Sequence, residues 1–358
     1  MLHFDSDYME GAHPAIIERL AATNLDQTPG YGVDAVCESA RARIRHACQA
    51  PDADVYFLVG GTQANAAVID QLLRPWEGVV SADTGHINGH EAGAVEATGR
   101  KILQIPHVDG KLEADAVRAY CAAWAEGESR DHVVAPGVVY ISQPTEYGTL
   151  YSLNELEALR GVCDEYGMRL FVDGARLGYA LAAVGATMTL PDLARIADAF
   201  YVGGTKVGAL FGEAVVFADK QLSSHFFTLM KKHGALLAKG RMLGLQFDVL
   251  FEEDGAAGDA AGSPMVDAEA TRYAANGRHA VALAQKLAAG FRDAGYELAM
   301  ESPTNQQFVV MDDNTVAHLR EHATFEMWER RADGKLVMRF VISWATREEA
   351  VDELLALI

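Results

Sequence analysis

Short apolar runs alternate with helical segments along much of the chain, and this alternation constrains the fold most. The runs cover residues 55–59, 79–81, 102–105, 138–141, 168–172, 199–202 and 214–217. Strands that alternate with helices of about 10–15 residues need right-handed crossovers, which give a mostly parallel sheet with helices on both faces. The sequence therefore predicts a large α/β domain.

A second, smaller pattern follows the sheet-forming region. Residues 255–264 are mostly small residues, which are typical of a linker or loop. The elements predicted after them are a long or broken helix at 267–293, strands at 296–300, 308–311 and 337–342, and a closing helix at 347–358. We therefore expect an N-terminal arm plus a large domain over residues 1–250 and a small C-terminal α/β domain over residues 251–358.

Charge and composition exclude several classes of protein. The net charge of −20 argues against a nucleic-acid partner, because such proteins need clustered lysine and arginine. No apolar stretch approaches the roughly 18–20 residues of a membrane span, and the first residues lack the features of a signal peptide. The four cysteines show no metal-binding spacing. We expect a cytoplasmic protein that acts on a small molecule without a metal.

Two charged residues follow apolar runs, and together they indicate a chemistry. Asp173 comes directly after residues 168–172, and Lys206 follows residues 199–202 and a Gly-Gly-Thr turn. Ligands bind at the carboxyl ends of parallel strands, so both side chains should face one crevice. A carboxylate can keep a pyridine nitrogen protonated and a lysine amine can bond to an aldehyde, as pyridoxal phosphate (PLP) chemistry requires. Taken alone, Asp173 could instead cap a helix, and Lys206 could be a surface charge.

Three weaker signals accompany this pair. Residues 60–65, Gly-Gly-Thr-Gln-Ala-Asn, pass from a strand into a helix, where free N–H groups favour an anion, although glycine-rich turns are common there. His86 follows a strand and could stack on a cofactor or move protons, but a lone histidine is more often structural. Arg176 and Arg339 could each bind a carboxylate at two points.

The order of these motifs resembles the threonine aldolase branch of the β-eliminating lyase family. The resemblance extends almost end to end and is carried by Phe4-Asp5-Ser6-Asp7, Gly30-Tyr31-Gly32, Gly60-Gly61-Thr62-Gln63-Ala64-Asn65, His86-Ile87-Asn88, Gln143-Pro144-Thr145-Glu146-Tyr147-Gly148-Thr149, Asp173-Gly174-Ala175-Arg176, Gly203-Gly204-Thr205-Lys206 and Arg339-Phe340-Val341. It implies a fold-type-I PLP enzyme, related in fold to aspartate aminotransferase.

The resemblance also implies a role for each site residue. The implied catalytic residues are Lys206, which would bond to PLP, Asp173, which would bind the pyridine nitrogen, and His86, which would stack on the ring and is a candidate base. Gly61 and Thr62 would hold the phosphate, and Arg176 would lie near the cofactor's phenolic oxygen. Ser6, Arg176 and Arg339 would bind the substrate carboxylate.

The implied reaction is cleavage of L-3-hydroxy-amino acids, such as L-threonine, L-allo-threonine or phenylserine, to glycine and an aldehyde. Transamination, racemisation, another lyase reaction such as β-elimination, and a non-catalytic binding role remain alternatives. The family further implies a homodimer or homotetramer with the active site at a subunit interface. Tyr31, Lys231, Lys232 and Arg241 would then serve a neighbouring subunit.

The chain departs from the family pattern at three places. Many threonine aldolases have a histidine in the segment occupied here by Pro144-Thr145-Glu146. The sequence therefore leaves open which residue acts as the base on the substrate hydroxyl. Val207 stands where relatives often have asparagine, and Asn305-Gln306-Gln307 is more polar than usual. Both changes are expected to alter the substrate range rather than the reaction.

Overall fold

The computed structural model describes residues 1–255 and 265–358, so nearly all of the predicted linker lies outside the described residues. Its strands are β1 (Leu2–His3), β2 (Asp54–Leu58), β3 (Glu77–Ala82), β4 (Ile102–Ile105), β5 (Ala135–Ser142), β6 (Arg169–Asp173), β7 (Ala199–Gly203), β8 (Glu213–Phe217), β9 (Gln306–Met311), β10 (Ala323–Thr324), β11 (Glu326–Arg330) and β12 (Leu336–Val341). Its α-helices are α1 (Pro14–Ala22), α2 (Ala35–Ala47), α3 (Gly61–Leu72), α4 (His86–Gly89), α5 (Ala114–Glu126), α6 (Leu153–Tyr166), α7 (Leu177–Ala182), α8 (Leu190–Ile196), α9 (Phe226–Lys232), α10 (Arg241–Leu250), α11 (Arg272–Asp293), α12 (Asp313–Arg320) and α13 (Glu348–Leu355).

A central sheet organises the molecule. In the described part of the chain it has seven strands, in the order β2-β8-β7-β6-β5-β3-β4. The strands from β7 to β4 pair in parallel, whereas β8 runs antiparallel to both of its neighbours. The predicted mostly parallel α/β fold is thus confirmed. The carboxyl ends of β5, β6 and β7 meet at one edge, where Ser142 pairs with Asp173.

The near-continuous hydrophobicity of the central strands follows from burial on both faces. Successive side chains of a strand point to opposite faces, so one strand contributes to two cores. On β6, Leu170 and Val172 belong to one hydrophobic cluster, while Phe171 belongs to the cluster on the other face. All five residues of β7 are buried. This rigid layer fixes the strand ends that carry the charged residues.

Helix ends follow local sequence signals. Ser152 and Glu155 form a reciprocal capping box at the start of α6, and Gly167 ends that helix with a φ of 68°. By contrast, α3 begins after Gly60 without any side-chain cap. Within residues 1–255 and 265–358, no helix combines the length and apolar character needed to cross a membrane.

The C-terminal part of the chain forms a second, antiparallel sheet in the order β11-β12-β9. The predicted helix at 267–293 is broken: a short 3-10 turn, Ala268–Ala270, precedes α11. The strand predicted at 296–300 is wrong, because only Leu298 makes a bridge, to Val309. The strand β11 was not predicted, since its mostly exposed charged pattern looks like a loop.

The N-terminal arm crosses to this C-terminal sheet. β1 pairs in parallel with β10, and the Phe4 carbonyl accepts a hydrogen bond from Val341 at 2.8 Å. The Phe4 ring is fully buried and contacts Phe340. These contacts anchor the arm and place Asp7 beside the central sheet edge.

Candidate active site

Asp173 is a buried carboxylate at the end of β6. Its Oδ2 accepts hydrogen bonds from the Tyr140 hydroxyl at 2.6 Å and from Asn65 Nδ2 at 2.9 Å, and its Oδ1 accepts from the Ala175 N–H at 2.9 Å. Burial alone would raise the pKa of Asp173, but the charge of His86 and these donors outweigh it and lower the pKa. The carboxylate is therefore held ionised at neutral pH.

A second buried acid connects Asp173 to His86. Asn65 Nδ2 also donates to Glu91 Oε1 at 2.7 Å, and His86 Nδ1 lies 2.7 Å from the same oxygen. Burial lowers the pKa of His86, yet the hydrogen bond to Glu91 and the charge of Asp173 raise it above its ordinary value. The imidazole thus carries positive charge at pH values where a free histidine would be neutral.

Lys206 extends from the turn after β7. Burial and the charge of Arg176 lower the pKa of its amine. The turn is held by Glu213, whose oxygens accept from the Gly204 N–H at 3.1 Å and the Thr205 hydroxyl at 2.9 Å. Burial raises the pKa of Glu213 to about 8. Because β8 is antiparallel, its first residue lies beside the last residue of β7, which brings this carboxyl to the active edge.

The start of α3 offers a ready anion site. The first N–H groups of a helix have no partner within the helix, and Gly60 supplies no side-chain cap. A Cβ at Gly61 would lie 3.1 Å from the Tyr201 hydroxyl, so a larger residue would crowd the approach. Donors that need an acceptor are therefore available where a phosphate is expected.

One small cavity brings most of the predicted site residues together. Its volume is about 120 Å³, and it is lined by Gly61, Thr62, His86, Ser142, Pro144, Thr145, Glu146, Asp173, Ala175, Arg176, Tyr201 and Lys206. The acid and the amine that suggested PLP chemistry thus share one crevice. A larger cavity of about 1350 Å³, beside α2 and α7, contains neither Asp173 nor Lys206.

The predicted carboxylate-binding residues differ in their surroundings. Arg176 lines the cavity, but its Nε and Nη2 donate to the two oxygens of Asp7 at 2.7 and 3.0 Å. Arg339 bonds to Glu326, and its Nη1 lies 3.3 Å from Gln306.

Neither Arg339 nor Ser6 lines the cavity, and Ser6 Oγ accepts from the Tyr8 N–H at 3.3 Å. Burial has the largest effect in lowering the pKa of Arg339, and the charge of Arg176 lowers it further. The two guanidinium groups therefore interact electrostatically. The three-residue clamp therefore stays a prediction.

The residues expected to reach a neighbouring subunit separate into two kinds. Lys232 Nζ donates to Asp70 at 2.9 Å, and Arg241 Nη1 donates to the Thr23 carbonyl at 2.8 Å. Lys231 Nζ instead lies 5.1 Å from the ring centre of the exposed Tyr31. Lys231 and Tyr31 remain the available pair for that role.

Sequence reasoning missed Tyr140, Glu91, Asp7 and Glu213. Tyr140 lies inside an apolar run, where a phenol looks like core. Glu91 lies just beyond α4 rather than at the end of a strand, although its spacing of five residues from His86 was a usable signal. Asp7 depends on a contact between distant segments, and Glu213 depends on the antiparallel pairing of β8 with β7.

Comparisons with known proteins agree with this geometry. A family model described as beta-eliminating lyase matches residues 3–314. The chain belongs to the β-eliminating lyase family. Among curated members, it is 30% identical over 355 residues to a low specificity L-threonine aldolase of Pseudomonas sp. (strain NCIMB 10558), covering 99% of this chain and 96% of that relative.

Solved structures place this family member in a known fold. A structure of Leishmania major threonine aldolase superposes with a TM-score of 0.91 at 39% identity, covering 100% of this chain and 98% of that chain. Thermus thermophilus aspartate aminotransferase, at 15% identity and a TM-score of 0.68 over 100% and 90% of the chains, shares the fold. The protein is thus a fold-type-I, PLP-dependent lyase.

The residues present suit PLP. Asp173 is an ionised acid for the pyridine nitrogen, and Lys206 is an amine of lowered pKa for the aldehyde. The uncapped start of α3 suits the phosphate. His86, which lines the same cavity, can cover the ring.

Proposed function

We propose that this lyase cleaves the Cα–Cβ bond of L-3-hydroxy-amino acids, releasing glycine and an aldehyde. L-Threonine and L-allo-threonine would give acetaldehyde, and phenylserine would give an aryl aldehyde. The observation that carries the proposal is the single cavity that holds Asp173 and Lys206 in a chain similar to threonine aldolases.

Each site residue has a distinct task in this proposal. PLP, when bound, supplies a ring that takes up the electrons of the broken bond. Asp173 keeps the pyridine nitrogen protonated, because its own pKa is low. Lys206 supplies the amine, whose pKa is lowered by burial, and Gly61 and Thr62 hold the phosphate at the helix start. His86 covers the ring.

Substrate binding is assigned to Arg176, Ser6 and Arg339. Asp7 occupies Nε and Nη2 of Arg176, and Nη1 has no partner among the described residues. That nitrogen is available to a substrate carboxylate, while Asp7 fixes the plane of the guanidinium group. A fixed carboxylate sets which bond at Cα stands perpendicular to the ring and therefore breaks.

We also place the enzyme in the cytoplasm as a homodimer or homotetramer, with Tyr31 and Lys231 reaching a neighbouring subunit. The side chains of Tyr31 and Tyr8 are exposed, and a neighbouring subunit would cover them. Tyr8 lies close to the active site, because its ring centre is 5.8 Å from Lys206 Nζ. We further propose domains at 1–250 and 251–358. The central sheet ends before residue 218, and the strands of the second sheet begin after residue 251.

A substrate panel tests the reaction. The purified holoenzyme is incubated with L-threonine, L-allo-threonine, L-serine and phenylserine, and glycine, aldehyde, keto acid and D-amino acid are quantified. We expect equal amounts of glycine and aldehyde. Keto acid or D-amino acid as the main product would replace aldol cleavage with transamination or racemisation. The exposed-residue variant Lys335→Ala should match the wild type.

A further inference from the structure

We propose that Glu146 takes the proton from the β-hydroxyl group of the substrate. The inference rests on the proposed aldol cleavage and names the group that starts it. Glu146 lines the same cavity as Lys206 and Asp173. Among the described residues that line this cavity, Glu146 and Asp173 are the two carboxylates.

The fold holds Glu146 at the active edge. It follows β5, whose last residue, Ser142, pairs with Asp173 on the neighbouring strand. The turn around it is closed by the Thr145 N–H, which donates to the Thr149 carbonyl at 3.0 Å. Gly148 has a φ of 72°, and a Cβ there would lie 2.3 Å from Ser302 Oγ, so this tight packing needs glycine.

Hydrogen bonds orient the carboxyl group and leave one oxygen available. The Ser142 hydroxyl and the His86 backbone N–H each donate to Glu146 Oε1 at 2.9 Å. No side chain of the described residues donates to Oε2. A carboxylate with one anchored oxygen and one available oxygen has the arrangement of a general base.

Asp173, His86 and Thr145, which also line the cavity, are engaged in other hydrogen bonds. Asp173 accepts three hydrogen bonds and serves the pyridine nitrogen. His86, the candidate base from the sequence, is bound to Glu91 and has a raised pKa, so its protonated form is favoured. The Thr145 hydroxyl is paired with Thr149 at 2.7 Å.

Burial, the largest effect, and the charge of Asp173 raise the pKa of Glu146. Hydrogen bonds from its own backbone N–H and from Ser142, and the charge of His86, oppose this rise without cancelling it. A raised pKa makes the ionised carboxylate a stronger base than an exposed glutamate.

The proposed step balances. The hydroxyl proton moves to the carboxylate of Glu146, the C–O bond becomes C=O, and the Cα–Cβ bond breaks. Bound PLP would supply the electron-withdrawing ring that stabilises the electron pair left at Cα. The aldehyde leaves, and Cα then gains one proton to give glycine. Glu146 releases its proton to solvent and Cα takes one from solvent, so the complete reaction moves one proton from oxygen to carbon and returns Glu146 to its starting state.

The test compares two reactions of Glu146→Gln. Cleavage of L-threonine needs a base for the hydroxyl group, whereas exchange of the Cα proton of glycine with D₂O does not. Removing a general base typically lowers the rate about 10²–10⁴-fold. We expect kcat for L-threonine to fall by at least about 100-fold, with glycine exchange, followed by NMR, within about threefold of wild type. Glu157→Gln, a change on the half-exposed outer face of α6, should leave both reactions unchanged.

Two outcomes would overturn the inference: unchanged cleavage by Glu146→Gln, or equal loss of cleavage and exchange. Equal loss would assign Glu146 a structural or binding role. Glu146→Asp, which keeps the carboxylate, should recover part of the cleavage rate, and no recovery would also contradict the role. Because the wild type is assayed in parallel, a wild type that forms no aldehyde rejects the proposed function itself rather than the role of Glu146 alone.

Discussion

Asp7 binds Arg176 through two hydrogen bonds, of 2.7 Å and 3.0 Å, from a fully buried position in the N-terminal arm. Asn305 Nδ2 donates to the same carboxylate at 2.9 Å. Burial would raise the pKa of Asp7, but the positive charges of Arg176 and Lys206 lower it. The arm therefore contributes a buried carboxylate that pairs with Arg176, a residue of the cavity lining, as well as the anchoring contacts of Phe4.

Asp7→Ala should destabilise the protein, because it leaves the Arg176 charge partly buried and unpaired. Loss of one partner from a buried pair costs about 3–5 kcal/mol, whereas an exposed pair contributes at most about 1 kcal/mol. Chemical denaturation should show this loss. The matched control is Asp115→Ala, which removes an exposed pair with Arg118. Equal stability of the two variants would show that the Asp7 pair has no special role.

Asn65→Ala should move the acidic limb of the activity profile to higher pH. Asn65 donates to both Asp173 and Glu91, and its loss leaves two buried carboxylates without their shared donor. The pKa of Asp173, now low, should rise, and the ionised form that activity needs would then be lost earlier as pH falls.

Steady-state kcat for Asn65→Ala, measured from about pH 4 to pH 7, tests this shift. The exposed Asn314→Ala is the control. An acidic limb at the wild-type position would contradict the role given to Asn65.

Glu213 should make the enzyme less stable as pH rises. The folded state holds the proton of Glu213 up to about pH 8, whereas the unfolded chain releases it near the ordinary value of 4.5. Between these values the native state binds more protons, so this contribution to the free energy of unfolding declines with increasing pH and levels off above about pH 8.

Glu213→Gln should remove that decline, as read from denaturation curves between about pH 5 and pH 9. The exposed Glu349→Gln should keep the wild-type slope. If Glu213→Gln also keeps that slope, the buried carboxyl does not titrate as described.

The sequence allowed prediction of the site residues whose positions depend only on the strand that they follow. Asp173 follows an apolar run directly, and Lys206 follows one after a Gly-Gly-Thr turn. Because the carboxyl ends of parallel strands meet at one edge, their convergence follows from local pattern and chain direction. The same reasoning placed Gly61 and Thr62 at a helix start.

Residues set by pairing direction or by distant contacts could not be predicted in this way. Nothing in residues 214–217 distinguishes an antiparallel strand from a parallel one, yet direction alone brings Glu213 to the active edge. Asp7 and Arg176 are 169 positions apart, and their pairing depends on the arm, which is anchored by β10 and by the hydrogen bond between Phe4 and Val341. Tyr140 donates to Asp173 because β5 and β6 are adjacent, an order that apolar runs do not encode.

The central claim is that the amine of Lys206 bonds to the cofactor in the cavity above Asp173. The most direct measurement is borohydride reduction of the holoenzyme, followed by proteolysis and mass spectrometry of the peptides. We predict a PLP-modified peptide that contains Lys206, its loss in Lys206→Ala together with loss of turnover, and an unchanged result for Lys335→Ala. Modification of a different lysine in the wild type, or full turnover by Lys206→Ala, would contradict the account.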